Sequence, residues 1–171
     1  ISGTGADELF TGYYDHHLMY LAAVNGNAKL YAKSVENWKT HIAPVVRNPM
    51  LQEPDAFVRN PGQREHIYLN AAVFAGFLKT PWNETFFEGD FGAPLLRNRM
   101  LNELFHEAVP PILHEDDINA MSVSIENRSP FLDRDLFEFS QTIPTHHMVK
   151  DGKAKAVLRD AVRGIAPDHV L

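Results

Sequence analysis

The chain has 171 residues, 44% hydrophobic and 22% charged. That is enough for about one domain with a buried core, and too apolar for intrinsic disorder. Sixteen Lys and Arg against twenty-two Asp and Glu leave a net charge of −6. That balance argues against nucleic acid or an anionic membrane as partner. The absence of cysteine excludes disulfides, thiolate zinc sites and a Cys nucleophile.

The first residues, Ile1-Ser2-Gly3-Thr4-Gly5, read as the end of a strand entering a glycine loop, so a piece of a larger protein is expected. Ala6, Leu9, Phe10, Tyr13, His17, Tyr20 and Leu21 share one stripe and predict a single amphipathic helix over about 6–23, with Thr11 on that helix beyond the loop. Asn25-Gly26-Asn27 ends it. Leu30, Tyr31, Ser34, Val35, Trp38 and Ile42 repeat the pattern up to Pro44. Residues 47–62, with three prolines, read as loop. Ile67, Ala71, Phe74 and Leu78 mark a third helix, ended by Thr80-Pro81. Trp82, Phe86, Phe87 and Phe91, around Gly89 and Gly92, suggest a loop anchored by aromatics. Leu96, Met100, Leu104 and Phe105 give a fourth helix.

Pro110-Pro111 suits the first turn of another helix, with Met121 and Ile125 expected on its buried side. Ser129-Pro130 must leave the helix, and Asp133 is placed to N-cap the short helix carrying Leu136, Phe137 and Phe139. Ala154, Val157, Leu158, Ala161 and Val162 form a last helix, with Gly164 as its stop. No strand–helix alternation is visible, and the expected class is mainly α. No apolar run approaches the roughly 18 residues of a membrane span, and the first residues carry no signal-peptide pattern.

Ser2-Gly3-Thr4-Gly5-Ala6-Asp7-Glu8 is the strongest local signal. Closely spaced glycines let a backbone approach an anion, a following helix offers N–H groups, Ser2 adds a hydroxyl, and Asp7 can ligate Mg²⁺ on phosphate oxygens. The same residues also suit a plain glycine turn with Asp7 and Glu8 as first-turn partners of the helix dipole. A second block runs from His114-Glu115-Asp116-Asp117 to Ser124-Ile125-Glu126-Asn127-Arg128-Ser129-Pro130-Phe131-Leu132-Asp133. By itself it fits an exposed acidic face at Asp116 and Asp117 and a surface ion pair between Glu126 and Arg128. Adjacent histidines, His16-His17 and His146-His147, lack the i, i+4 spacing of a zinc helix. Lys150 and Lys153 fit a solvated basic face, and Tyr13, Tyr14 and Tyr20 read as packing aromatics.

Ser2-Gly3-x-Gly5-Ala6-Asp7-Glu8-Leu9-Phe10-x-Gly12-Tyr13 resembles a segment of the glutamine-hydrolysing asparagine synthetase family. Met121 with Ile125-Glu126-x-Arg128-x-Pro130-Phe131-Leu132-Asp133, and Lys155-x-x-Leu158-Arg159, are similar to later segments of that family in the same order. The resemblance implies the helical, C-terminal part of an α/β adenine-nucleotide (pyrophosphatase-loop type) synthetase domain, with residues 1–171 a single partial domain whose sheet lies upstream. It implies ATP and Mg²⁺, adenylation of an aspartate carboxylate, and attack by ammonia from a glutaminase domain. Small-molecule substrates, a cytoplasmic location and a homodimeric parent protein are also expected. Ser2, Gly3, Thr4, Gly5 and Lys155 would meet ATP or pyrophosphate, and Asp7 the metal. Glu8, Asp117, Glu126 and Arg128 are further candidates. The family's first nucleotide loop, Ser-Gly-Gly-x-Asp-Ser, has no match here. Its catalytic lysine would lie beyond Leu171, so residues 1–171 alone are expected to be inactive. Thr4 stands where the family more often has an acidic residue, or tyrosine in β-lactam synthetases. That leaves open a related amidotransferase acting on another carboxylate, on a surface polysaccharide or peptide. A helical interaction module without catalysis is the remaining alternative.

Overall fold

The computed structural model describes residues 1–67, 71–81 and 86–171. Trp82, one of the aromatics expected to anchor a loop, lies outside them. Among the described residues the chain is helical, with no β-strand and only isolated bridges at Lys150–Lys153 and Arg163–Ala166.

The helix expected over 6–23 is two. α1 is Ala6–Phe10 and α2 is Tyr14–Val24. Thr11 sits between them at φ +71°, a left-handed conformation that no helix interior contains. A stripe of apolar residues spaced for one helix survives this break because α1 and α2 both face inward. α3, Ala28–His41, begins under the Asn27 side chain, which accepts from the Leu30 N–H at 3.1 Å. Trp38 is its buried anchor.

Residues 47–62 are more than loop. A 3-10 turn at Pro49–Leu51 and the short α4, Ala56–Arg59, carry Leu51 and Phe57 into the core. Their apolar side chains are too few for a periodic signal. The third expected helix ends earlier than predicted, α5 (Ala71–Ala75) closing before Leu78, and a 3-10 turn lies at Glu65–Ile67. In the described residues after it, amides and an aromatic stack hold the segment. Asn102 Oδ1 accepts from the Gly89 N–H (2.7 Å), and Asn98 and Asn102 donate to the Gly89 carbonyl (3.0 and 2.8 Å). Phe87 is exposed, while Phe91 stacks on His106.

α6, Leu95–Asn102, runs on as a π-type turn, Glu103–Glu107, into α7, Val109–Met121. Met121 and Ile125 are exposed, against expectation. The Ile125 N–H reaches back to Ala120, closing a turn in which these side chains face outward. After a 3-10 turn at Pro130–Leu132 comes α8, Arg134–Thr142, capped as expected by Asp133, which accepts from the Leu136 N–H at 3.0 Å. α9 is Ala156–Ala161, and Gly164 follows it at φ +79°.

The core has two parts. Leu18, Met19, Leu21, Trp38, Phe57, Leu96 and Met100 join α2, α3, α4 and α6. Leu9, Phe10, Leu104, Val109, Ile143 and Met148 form the second, against which Phe131, Leu132, Phe137 and Leu158 pack. The second part holds α1 in place beneath the glycine loop.

Candidate functional site

The second core gathers the three sequence blocks around α1. The Ser2 N–H donates to the Arg128 carbonyl at 2.8 Å, and Phe131 meets Phe10 edge to face. From the far end of the chain, the Lys155 N–H donates to the carbonyl of Phe10 and to the hydroxyl of Thr11, both at 3.2 Å. Lys155 Nζ lies 2.8 Å from Asp7 Oδ1, with both side chains about one third exposed. A carboxylate and an ammonium 148 positions apart in sequence are thus paired beside the turn that follows α1.

The two glycines have different reasons to be there. A Cβ on Gly3 would meet nothing within 4 Å, so its backbone has an open face. Gly5 stands at φ +96°, where a Cβ would fall 2.5 Å from Leu132 Cδ2. Gly5 is therefore needed by the turn and by contact with the Pro130–Leu132 block, not by the approach of a ligand. Ser2 and Thr4 share a hydroxyl hydrogen bond of 2.6 Å, and the Thr4 N–H is taken by Ser2 Oγ. α1 has only five residues, which limits the helix-dipole contribution expected at this loop.

The remaining candidates separate. Glu8 points away from the loop, buried, and accepts from Tyr13 Oη at 2.6 Å. Burial, with that hydrogen bond and the charge of Glu8, raises the Tyr13 phenol well above its ordinary range. Asp117 is exposed, and it is Asp116 that faces the loop, accepting from Ser2 Oγ at 3.4 Å. Glu126 and Arg128 pair with each other at 2.9 Å on the surface, where such a contact contributes little. Arg159 bonds the carbonyls of Ala154, Val170 and Leu171, away from Asp7.

Sequence reasoning missed Thr11, and also a buried ionic network under the site. Arg99 reaches Glu103 (3.0 Å), Glu107 (2.6 Å), Glu88 (3.4 Å) and Asp15 (3.5 Å). His66 contacts Asp15 at 3.1 Å, and His16 Nε2 contacts Glu103 at 2.6 Å. Burial alone would raise the Asp15 carboxyl. The His66 hydrogen bond and the neighbouring positive charges, Arg99 among them, outweigh it and hold the group well below the usual carboxylate range. Asp15, His16 and Glu103 offer metal-ligating atoms within 4.8 Å of one another. The Arg99 guanidinium already neutralises both carboxylates, so the cluster reads as an ion-pair network. Arg99, Glu103 and Glu107 stand four positions apart in turn, but an exposed salt-bridged helix has the same pattern.

Asp7 meets the donor requirement of Mg²⁺, a hard cation that takes one or two carboxylates and otherwise keeps water and phosphate oxygens. Its Oδ1 contacts Lys155 and its side chain is about one third exposed, which leaves room for water and phosphate oxygens around a cation.

The family model for asparagine synthase matches residues 1–171. Asparagine synthetase (glutamine-hydrolyzing) 1 of Bacillus subtilis (strain 168) is 43% identical over 60 residues, covering 35% of this chain and 10% of that protein. Asparagine synthetase (glutamine-hydrolyzing) 3 of the same organism is 32% identical over 106 residues, covering 61% and 16%. A putative asparagine synthetase (glutamine-hydrolyzing) of Mycobacterium bovis is 27% identical over 186 aligned residues, covering 100% and 28%. The chain thus spans between 10 and 28% of the length of these relatives. No solved structure matches the chain significantly. Among the described residues no helix is long and apolar enough to cross a membrane.

Proposed function

Because the chain belongs to the asparagine synthase family, we propose that it forms part of an ATP-dependent ligase that adenylates a carboxylate, aspartate in the first instance, and yields it to ammonia. The observation that carries this reading is the pairing of Asp7, on the helix that follows a glycine loop with an open Gly3, with Lys155 from the far end of the chain. Gly3, with the hydroxyls of Ser2 and Thr4, offers phosphates a close approach and polar contacts. Lys155 carries the positive charge that a leaving pyrophosphate needs, and Asp7 holds its amine. Mg²⁺, when bound, would supply positive charge to the phosphates, and Asp7 would hold it. A bare carboxylate is a poor electrophile, and its adenylate carries AMP as a good leaving group. The work left to the protein is to stabilise charge on the departing pyrophosphate.

Asp7→Asn tests this. The amide keeps size and polarity but loses the charge that both Lys155 and Mg²⁺ require. ATP–pyrophosphate exchange by the whole protein should fall by about 10²–10³ and need more Mg²⁺. Exchange close to wild type would overturn the assignment and leave Asp7 as a first-turn partner of α1.

A further inference from the structure

We propose that Thr11 and Gly12, at the break between α1 and α2, are the positioning residues that set the Asp7–Lys155 pair. The inference rests on the reading of that pair as part of a nucleotide site, and it assigns the break itself a task.

Thr11 seats the lysine. A β-branched residue at φ +71° is strained, and such strain persists only where the surroundings over-determine it. Thr11 is fully buried, its hydroxyl contacts the Phe10 carbonyl and lies 3.3 Å from the Met148 carbonyl, and it accepts the Lys155 N–H. The Phe10 carbonyl accepts the same N–H. Lys155 is itself left-handed, at φ +56°, so its main chain turns into α9 while its amine goes to Asp7. Gly12 seats the carboxylate. A Cβ at Gly12 would fall 1.4 Å from Asp7 Oδ1 and 2.3 Å from its Cγ. No other residue can stand there with the Asp7 side chain in place. From beneath, the Gly12 N–H donates to His16 Nδ1 at 3.2 Å, and His16 Nε2 meets the buried Glu103 at 2.6 Å. An uninterrupted helix over 6–23 would offer neither the turned hydroxyl nor the space beside Asp7.

A double-mutant cycle in the whole protein separates positioning from general damage. The measurements are calorimetric binding of MgATP and Tm without nucleotide. The variants are Gly12→Ala, Asp7→Ala and their double, Thr11→Val and Thr11→Ser, with Gly26→Ala as control because a Cβ there meets nothing within 4 Å. Gly12→Ala should weaken MgATP binding on the order of 10-fold, and by less than about twofold once Asp7 is alanine. Its Tm loss should shrink in the same background. Thr11→Val should weaken binding comparably, and Thr11→Ser, which keeps the hydroxyl, should restore it. An equal Tm loss from Gly12→Ala with and without the Asp7 carboxylate overturns the inference, as does Thr11→Ser binding no better than Thr11→Val. If Gly12→Ala alone does not fold, recovery of folding in the double variant supports the inference and failure to recover overturns it. Undiminished MgATP binding by Asp7→Ala would instead remove the nucleotide reading. The Tm cycle needs no nucleotide and so tells the two failures apart.

Discussion

At the scale of single residues, burial decides what a side chain can do more than its type does. His16 and His17 are neighbours in sequence, but only His16 faces a carboxylate within hydrogen-bond distance, Glu103. Burial pushes the His17 imidazole down to about 4, with Asp15 opposing the effect. The unfolded chain binds that proton near pH 6.5. Between these values the unfolded state holds a proton that the native state refuses, so stability falls as pH drops through the window. The contribution is fully present above pH 6.5 and levels off below about 4. A shift of this size corresponds to about 3 kcal/mol. Asp15, held low, loses its own contribution only in stronger acid. The difference in unfolding free energy between wild type and His17→Gln should therefore narrow from pH 7 to pH 4.5. Parallel pH curves for the two proteins would contradict this account.

Among elements, the telling contact is between a turn and a glycine far from it in sequence. Leu132 Cδ2 occupies the space that a side chain on Gly5 would need, so the Pro130–Leu132 turn can dock on α1 only if position 5 is glycine. Gly5→Ala combines a left-handed backbone, costing about 1–2 kcal/mol, with overpacking of about 1–3 kcal/mol. Leu132 can give somewhat, since its methyl ends a flexible side chain. A loss of about 2 kcal/mol or more in urea unfolding is expected, and Leu132→Ala in the same chain should return part of it. An unchanged midpoint would mean that the loop and the turn are not packed as described. α8 needs no such partner to begin, because Asp133 caps it within its own segment.

For the molecule as a whole, Arg99 ties the two halves of the core together. It stands on α6, which packs against α2, and its carboxylate partners reach into the loop before α6 and the π-type turn after it. Such a network adds little net stability when complete, since desolvation offsets the attraction. Removing one partner leaves several buried charges of one sign. Arg99→Ala should therefore cost about 3–5 kcal/mol in chemical denaturation, much of the roughly 5–15 kcal/mol that a domain possesses. A loss below about 1 kcal/mol would show that the carboxylates are satisfied without it.

The helical class, the Asp133 cap and the positions of α3, α6 and α7 were legible from sequence, because they depend on spacing and on contacts within a few residues. The family resemblance was legible as well, carried by Ser2–Tyr13, Glu126–Asp133 and Lys155–Arg159. The break at Thr11 was not. An apolar stripe is unchanged when two short helices share one inner face, and left-handed threonine has no local signature. Nor could spacing choose Asp116 over Asp117, since one step of helix rotation decides which carboxylate meets Ser2. Met121 and Ile125 misled for a related reason: apolarity predicts burial only where a neighbouring element exists to supply it. Sequence by itself determined which residue types stand in the Ser2–Glu8 segment and at position 155. Only the tertiary structure decided that Lys155 meets Asp7 while Glu8 turns inward to Tyr13, because that choice depends on contacts between segments far apart in the chain and on a missing Cβ at Gly12.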